Sequence, residues 1–486
     1  MSGYLHGIYG SFAATDTPIN TISEGNVQCV IGTAPVNLLS NPEAAVDAPV
    51  LINSKDEVNS KLGYSDDVDK FTLMQAVHCA LELFQTAPII CINVLDPAKH
   101  TAAKTASVSL VNGATALSDE GILLSSLELT SADGSTTYAS KTDYTAAFND
   151  SGIVTITMVS GGKLTATSTV KASYNVLDPS KVTDADIEAG IAAVDRAFPL
   201  LQYVPEPILA PGWSHHPAVS AALIAKSQKI SGVFKATALC DIDSDANETI
   251  TAAISAKTAN GLNVRDCVPC YPKVKTTLGV TVWLSALVAA VMQYTDAQYN
   301  GSPMVSPSNK DSNIAATVLA DKTQVMYTLE EANQLNGEGI MTAINFMGWR
   351  LWGNNTGIYS KAGEDAGSEF DVKDRYINVK RAFDWQNNGF ITRYFAKKID
   401  GPLNYKAIQS FITDENQFYN AFIAAGLVAG MEIVYNQNDN PISQIMNGKI
   451  QFKQRIAPFL PLEVVENTVQ YDTSLLESAL KGGTNS

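Results

Sequence analysis

Two apolar runs frame the first stretch of the chain that reads as folded. Asn26-VQCVIGTAP and Pro88-IICINVL are almost continuously hydrophobic, while Phe71-TLMQAVHCALELF between them spaces its apolar residues at helical intervals. Runs without alternation are the pattern of strands buried on both faces. Strand, helix, strand predicts an α/β unit. The alternation resumes after residue 181. Thr183 stands as a helix cap, Asp184 and Asp186 sit in the first turn, and Ile187, Ile191, Val194 and Phe198 share one face, with Pro199 expected to close the helix. Then follow strand Pro207-ILAPGW, helix Ala218-VSAALIAKSQ, strand Gly232-VFKATALCDID, helix Glu248-TITAAISAKTA and strand Asn263-VRDCVPC. Such an order predicts a mostly parallel sheet with covering helices.

Elsewhere the pattern changes. Residues 101–180 are rich in Ser, Thr, Gly and Ala, with short alternating runs such as Ile153-VTITMV split by Asp133-Gly134 and Gly161-Gly162. They read as an inserted all-β module. A third body is expected over residues 366–463: a strand, two helices (the second around Asn404–Ala429), then strand Gly448-KIQFKQRIAPFLP. Residues 1–24 have no helical period and read as an extended arm, as do residues 464–486. The predicted class is therefore α/β and multi-domain: a mostly parallel-sheet core (25–100 and 181–365), the inserted β domain, an α+β C-terminal domain and two extended terminal arms.

Bulk properties narrow the function. At 486 residues the chain exceeds one ordinary core. A net charge of −16 works against nucleic-acid binding, which needs clustered Lys and Arg. Met1-SGYLHGIYG lacks the basic and apolar regions of a secretory signal, so synthesis in the cytoplasm is expected. The longest apolar run, Val280-TVWLSALVAAVMQ, is too short for a bilayer and predicts no membrane anchor. The six cysteines stand mostly in apolar context and are expected reduced.

Candidate chemistry is sparse. Cys267-VP-Cys270 has the spacing of a thiol pair or half a zinc site, but no second CxxC supplies further ligands and the motif lies in a strand. His215 and His216, being adjacent on extended chain, point oppositely and are expected to cap a turn. Asp241-IDSDANE starts like a calcium loop, yet has Ala246 where the turn needs Gly and Ala252 where a bidentate Glu belongs. Neither a P-loop nor a GxSxG elbow occurs. No enzyme, metal or cofactor is expected.

The scaffold segments resemble one family, the contractile tail sheath proteins of bacteriophages and phage-tail-like particles. The likeness rests on Gly7-IYG with Pro18-INTISEGNVQCVIGTAP, on Pro207-ILAPGWSHHPAVSAALIAKSQKISGVFKATALCDID, on Trp283-LSALVAAVMQYTDAQYNGSPMVSPSNK and on Asp439-NPISQIMNGKIQFKQRIAPFLPLEVV. Leu335-NGEGIMTAINFMGWRLWGNNT is its most specific piece; Asn355 departs from the Arg that many members carry there. Residues 101–180 resemble nothing in the family, where insertions usually face outward.

The resemblance implies a structural subunit that polymerises helically around an inner tail tube and contracts from a metastable extended state to drive the tube through a cell envelope. Baseplate and tail terminator proteins would be further partners. Assembly would take place in the bacterial host cytoplasm, and the product would be a virion tail or a released tail-like particle. Rival classes are a surface adhesin and an α/β hydrolase. Arm residues Tyr4, Ile8, Phe12, Ile19 and Ile22, with Val464, Val469 and Tyr471, are β-favouring, lack a local core and are expected to add strands to neighbouring subunits. Trp349, Arg350 and Trp352 are expected as a clamp between the central and C-terminal bodies, following a helix that ends near Phe346, with Arg350 paired to a carboxylate. Truncating either Trp is expected to cost roughly 3–5 kcal/mol. The locally basic segment with Lys380, Arg381, Arg393, Lys397 and Lys398 is expected to face an acidic tube.

Overall fold

The computed structural model describes residues 27–149 and 152–481. The N-terminal arm positions Tyr4 to Ile22 lie outside the described residues. Six strands make the central sheet: β1 (Val27–Gly32), β2 (Pro49–Ile52), β3 (Ile89–Asn93), β4 (Pro205–Leu209), β5 (Ala238–Asp241) and β6 (Cys267–Cys270). Their order is β6-β5-β4-β1-β3-β2, parallel throughout except for β2, which runs antiparallel along the edge of β3. β1, β3, β4, β5 and β6 are buried at every position. Coverage of both faces is why these segments carry apolar runs rather than alternation.

Helices Asp184–Ala193 and Pro217–Gln228 and the helical stretch from Leu73 to Leu83 cover the sheet, together with Leu284–Gln298. That last helix is the long apolar run, and it is buried continuously from Leu284 to Gln293. An all-round apolar helix of this length belongs in a protein core. No helix among the described residues is long and apolar enough to cross a membrane. Its polar groups are satisfied internally. The Gln28 side-chain amide on β1 donates to Gln293 Oε1 at 2.7 Å, and Gln293 Nε2 donates onward to the Pro88 carbonyl at 2.7 Å. This relay ties the helix to β1 and to the residue preceding β3.

Several local expectations are corrected. Thr183 and Asp186 form a reciprocal capping box. Pro199, however, sits inside the short helix Ala197–Leu201, in a first turn where its missing N–H costs nothing, and Gln202 in the left-handed region (φ 62°) ends that helix instead. β5 starts at Ala238 rather than near Gly232, because Ile230 and Phe234 close a tight turn, Ile230 N to Phe234 O being 2.8 Å. No strand opens the C-terminal body; Val372–Arg375 and Ile377–Lys398 are helices.

Residues 101–177 form two small sheets around their own core of Leu117, Leu129, Tyr144, Ile156, Val170 and Tyr174. Strands Thr101–Ser109 and Thr169–Leu177 pair antiparallel from Thr101↔Leu177 to Ser109↔Thr169, so the module's two ends leave the central body side by side.

At the C-terminal end of β5, Asp241 is buried and reaches across to the start of the Leu284–Gln298 helix. Ser285 donates to it through its backbone N–H (3.0 Å) and hydroxyl (2.5 Å), and Ser214 donates its hydroxyl at 2.9 Å. Burial pushes its pKa up from 3.8 to about 6, against the lowering effect of these hydrogen bonds. The proton is therefore held more tightly in the folded chain than in the unfolded one. The stability from this site is fully present below pH 3.8 and is lost as the pH rises through about 6. Asp241→Asn keeps the acceptor for Ser285 and removes the charge. The variant is expected to gain on wild type by up to about 3 kcal/mol between pH 4 and pH 7, measured as the difference in urea unfolding free energy at each pH. A pH-independent difference would contradict this.

Candidate functional site: an ionic seam and a sheet with open edges

The helix Ile377–Lys398 joins the central body to the C-terminal body. Its first half carries Ile377, Val379 and Ala382 buried beside Lys380 and Arg381, which are 0% and 1% exposed. Charges so deep require partners. Arg381 is held by two carboxylates: Nη2 donates to Glu206 Oε2 at 2.8 Å and to Asp296 Oδ2 at 2.6 Å, while Nε and Nη1 add bonds to Glu206 and Asp296 at 3.1 Å each. Burial raises the Glu206 pKa, but the Arg381 guanidinium outweighs it and the carboxyl lies below its ordinary value. Lys380 donates to the carbonyl of Ala236 (2.6 Å) and to the Thr237 hydroxyl (3.0 Å), and pairs with Asp384 one turn on at 2.7 Å. Arg265, before β6, adds contacts to Asp266, Asp374 and Asp384. The seam thus links β4, the residues just before β5, the Leu284–Gln298 helix and the segment before β6 to one long helix.

This overturns the tube-facing assignment of Lys380 and Arg381. They are interior cations that satisfy buried anions, and neither reaches a surface. Arg393 is also engaged, its Nη2 2.5 Å from Glu415, a carboxylate with no exposed surface. Lys398 donates to the Ser410 hydroxyl at 2.7 Å, and Lys397 is exposed. Glu206, Asp296 and Asp266 were missed in the sequence. The available signal was a Lys-Arg pair with Asp four residues on, set among Ile377, Val379 and Trp385.

The tryptophan stretch folds otherwise than expected. Thr342–Asn345 and Trp349–Trp352 form a hairpin, with no helix ending at Phe346. Its turn places Met347 (φ 54°) and Gly348 (φ 102°) in the left-handed region that tight hairpins need. Leu351 is fully buried, and Trp349 and Trp352, on opposite faces of the strand, are half-buried against the central core. Arg350 donates to the backbone carbonyl of Asn309 at 3.2 Å rather than to a carboxylate, and Trp352 Nε1 donates to Asn333. Asn355 accepts from Arg375 Nε at 3.1 Å.

His215 stacks on Trp283 with rings 4.7 Å apart and 8° from parallel, and His216 pairs with Asp184 at 2.6 Å. Burial and the neighbouring His216 push the His215 pKa down to about 4. Cys267 and Cys270 are buried free thiols on β6. Among the described residues no group of His, Cys, Asp and Glu could hold a metal ion. Ligands of open α/β sheets usually sit where the strand order reverses, here between β1 and β4. Thr72 fills the position beside Gly32, where an added Cβ would meet its Oγ1 at 2.3 Å.

In the C-terminal body, helix Tyr405–Ala424 packs on a hairpin of strands Val428–Val434 and Lys453–Pro458 over a core of Trp385, Tyr419, Phe422, Met431 and Ile433. Gln386 Nε2 locks it by donating to Tyr419 (2.6 Å) and Glu415 (2.9 Å). Among the described residues neither outer edge of this two-stranded sheet has a strand partner. The chain then runs without regular structure from Phe459 to Asp472. Glu463 pins it by accepting from Arg375 Nη2 (3.0 Å) and the Tyr376 hydroxyl (3.1 Å). Val464, Val469 and Tyr471 are all more than 70% exposed. The expected arm has no regular structure up to Asp472 and is helical at Thr473–Leu480.

Residues 180–356 match the family model of the phage tail sheath protein central domain. The chain is 26% identical to the tail sheath protein of Burkholderia phage BcepMu, an alignment covering 99% of each. It is 27% identical to a putative prophage major tail sheath protein of Pseudomonas aeruginosa over 57% of this chain and 68% of the relative. Among solved structures, a chain of the anti-feeding prophage baseplate superposes with a TM-score of 0.55 at 15% identity, covering 97% of this chain and 100% of that one. The sheath tail protein of Desulfitobacterium hafniense gives 0.51 at 12% identity, covering 93% and 100%. These last two likenesses are of fold.

Proposed function

With the chain established as a phage tail sheath protein, we propose that it polymerises helically around an inner tube and contracts to drive that tube through a target envelope. The observation that carries this reading is the open-edged sheet of the C-terminal body beside an exposed terminal segment. The two-stranded sheet is held by the helix packed on it, and its unpaired outer edges are templates for further strands. The β-favouring arms supply such strands from neighbouring copies, by backbone hydrogen bonds that tolerate varied sequence.

Contacts that run head to tail without closing generate a helix of subunits. Arms on extended tethers let rigid bodies rotate past one another and stay joined. The ionic seam keeps the central and C-terminal bodies one rigid unit, so that motion is concentrated between subunits. Energy for contraction is stored in the extended lattice and released as the bodies repack. This reading requires no nucleotide. Inner tube, baseplate and terminator proteins are the partners this reading implies, and a virion tail or tail-like particle is its location. The chain enters and leaves the module at 101–177 through one strand pair, Leu123 packs it against the central core, and in the assembly it faces outward.

Electron microscopy of the purified full chain tests the reading. Long hollow striated cylinders are expected; a chain that stays monomeric at every concentration and salt would reject it.

A further inference from the structure

The inserted module meets the central body at a histidine. His100 stands directly before strand Thr101–Ser109, and its backbone carbonyl accepts from the Asp178 N–H at 2.8 Å, closing the neck where the module's two ends come together. The residue is buried, with 4% of its surface exposed. Nδ1 accepts from the backbone N–H of Asp96 at 2.9 Å, which ties the ring to its own turn. Nε2 lies 3.5 Å from Asp186 Oδ2 on the helix Asp184–Ala193. A ring nitrogen that accepts a hydrogen bond carries no proton, so this pose admits only the neutral Nε2–H form. A second proton, on Nδ1, would set donor against donor.

The surroundings pull the other way. Asp96 and Lys99 lie on the same turn, Asp47 just before β2, Asp186 on the helix and Arg196 beyond its end, all within electrostatic reach of one another. From the module's return come Asp178 and Lys181, whose Nζ donates to the Thr101 carbonyl at 2.5 Å. Burial raises the Asp186 pKa, but hydrogen bonds from Thr183 outweigh it and the carboxyl lies below its ordinary value, so it stands ionised beside the ring. Carboxylates so placed favour an imidazolium. The Asp96 N–H excludes one from the seat the ring now holds. Both demands cannot be met in one conformation.

We propose that His100 is a proton-operated joint: on protonation the ring leaves the Asp96 N–H for the carboxylates beside it, and the neck of the module at 101–177 loosens. The closed neck binds one proton fewer than the open one, so it is favoured at high pH and gives way as the pH falls. Histidine is the side chain that ordinarily changes charge between pH 5 and pH 8, so mild acidification is the signal. Leu123 and Leu177 stay packed in the central core, and the module re-aims without detaching. The joint is independent of the sheath reading, since cylinders form or fail whatever the module's attitude.

Hydrogen–deuterium exchange of the full chain at pH 7 and pH 5, with labelling times scaled for the intrinsic pH dependence of exchange, tests the joint. Peptides carrying the Asp96 and Asp178 amides are expected to exchange about fivefold faster at pH 5, the scale of one lost hydrogen bond. Peptides from Val154–Met158, inside the module, should keep their rate. His100→Asn retains an acceptor for the Asp96 N–H and takes up no proton, so at pH 5 it is expected to exchange as wild type does at pH 7. Equal exchange of wild type at both pH values would overturn the joint. An His100→Asn chain that accelerates as wild type does would overturn it too, by placing the titrating group elsewhere. Because a substituted chain can fail to fold, the tautomer is also read in wild type from nitrogen-15 histidine spectra. An Nε2–H ring at pH 7 is expected for His100, and an Nδ1–H ring would overturn the proposal.

Discussion

Replacing Arg381 by alanine is expected to destabilise the folded chain by about 3–5 kcal/mol, the cost of leaving buried carboxylates without their counter-ion. Glu206 and Asp296 are 2% and 3% exposed, and both lose a bidentate partner at once. The variant has a recognisable pH signature. In wild type the Glu206 pKa is lowered, so its contribution is present above the ordinary carboxylate range and is lost as the pH falls through the folded value. Without Arg381, burial alone acts and the folded pKa rises. The variant should then gain more stability than wild type on acidification from pH 7 toward pH 5, by the part that Glu206 adds. Replacing all three members by uncharged residues of similar volume, Arg381→Met with Glu206→Gln and Asp296→Asn, should recover most of the loss, because no buried charge is left alone. Urea unfolding at pH 7 and pH 5 measures both. A loss under about 1 kcal/mol for Arg381→Ala would mean that water reaches the seam and that it holds nothing rigid.

The second large effect falls on assembly. Deleting residues 1–24 is expected to abolish cylinder formation while leaving the unfolding free energy of the central body unchanged. Tyr4, Ile8, Phe12, Ile19 and Ile22 are β-favouring residues in a segment whose sequence has no helical period, while the hairpin Val428–Val434 with Lys453–Pro458 has edges to offer. Lateral repacking of rigid bodies without tethers would give aggregates of no fixed helical order. Truncated chains that still stack into full-length hollow filaments would show that the arm is dispensable. Circular dichroism alongside the microscopy separates failed assembly from failed folding.

How legible this was in the sequence follows from which forces act locally. β1 and β3 announced themselves because a strand buried on both faces needs an apolar residue at every position, and Thr183 announced its helix because a capping box is a pattern only four residues long. The Leu284–Gln298 helix was judged only against membrane thickness. An all-round apolar helix in a protein core and a short membrane segment share one composition, and only the surrounding fold distinguishes them. The helix expected to end near Phe346 is instead a hairpin strand and turn, and the strand pairing that decides between the two lies outside any short window.

The basic segment failed for a deeper reason. Lys380, Arg381 and Lys397 look equivalent as letters, and a charge run is ordinarily a solvated face. What separates them is the position of Glu206, Asp296 and Asp266, brought from far along the chain by the packing of β4, the Leu284–Gln298 helix and the segment before β6. Tertiary structure turned two of the proposed tube contacts into the seam that joins the bodies. Sequence spacing gave access to Asp384 and not to these distant partners.

A density map of the assembled cylinder, read at the hairpin Val428–Val434 with Lys453–Pro458, tests the central claim most directly. Strands from neighbouring copies, hydrogen-bonded to the outer edges of that hairpin, are the predicted result. A hairpin that still has only its own two strands inside a fully formed cylinder would contradict it.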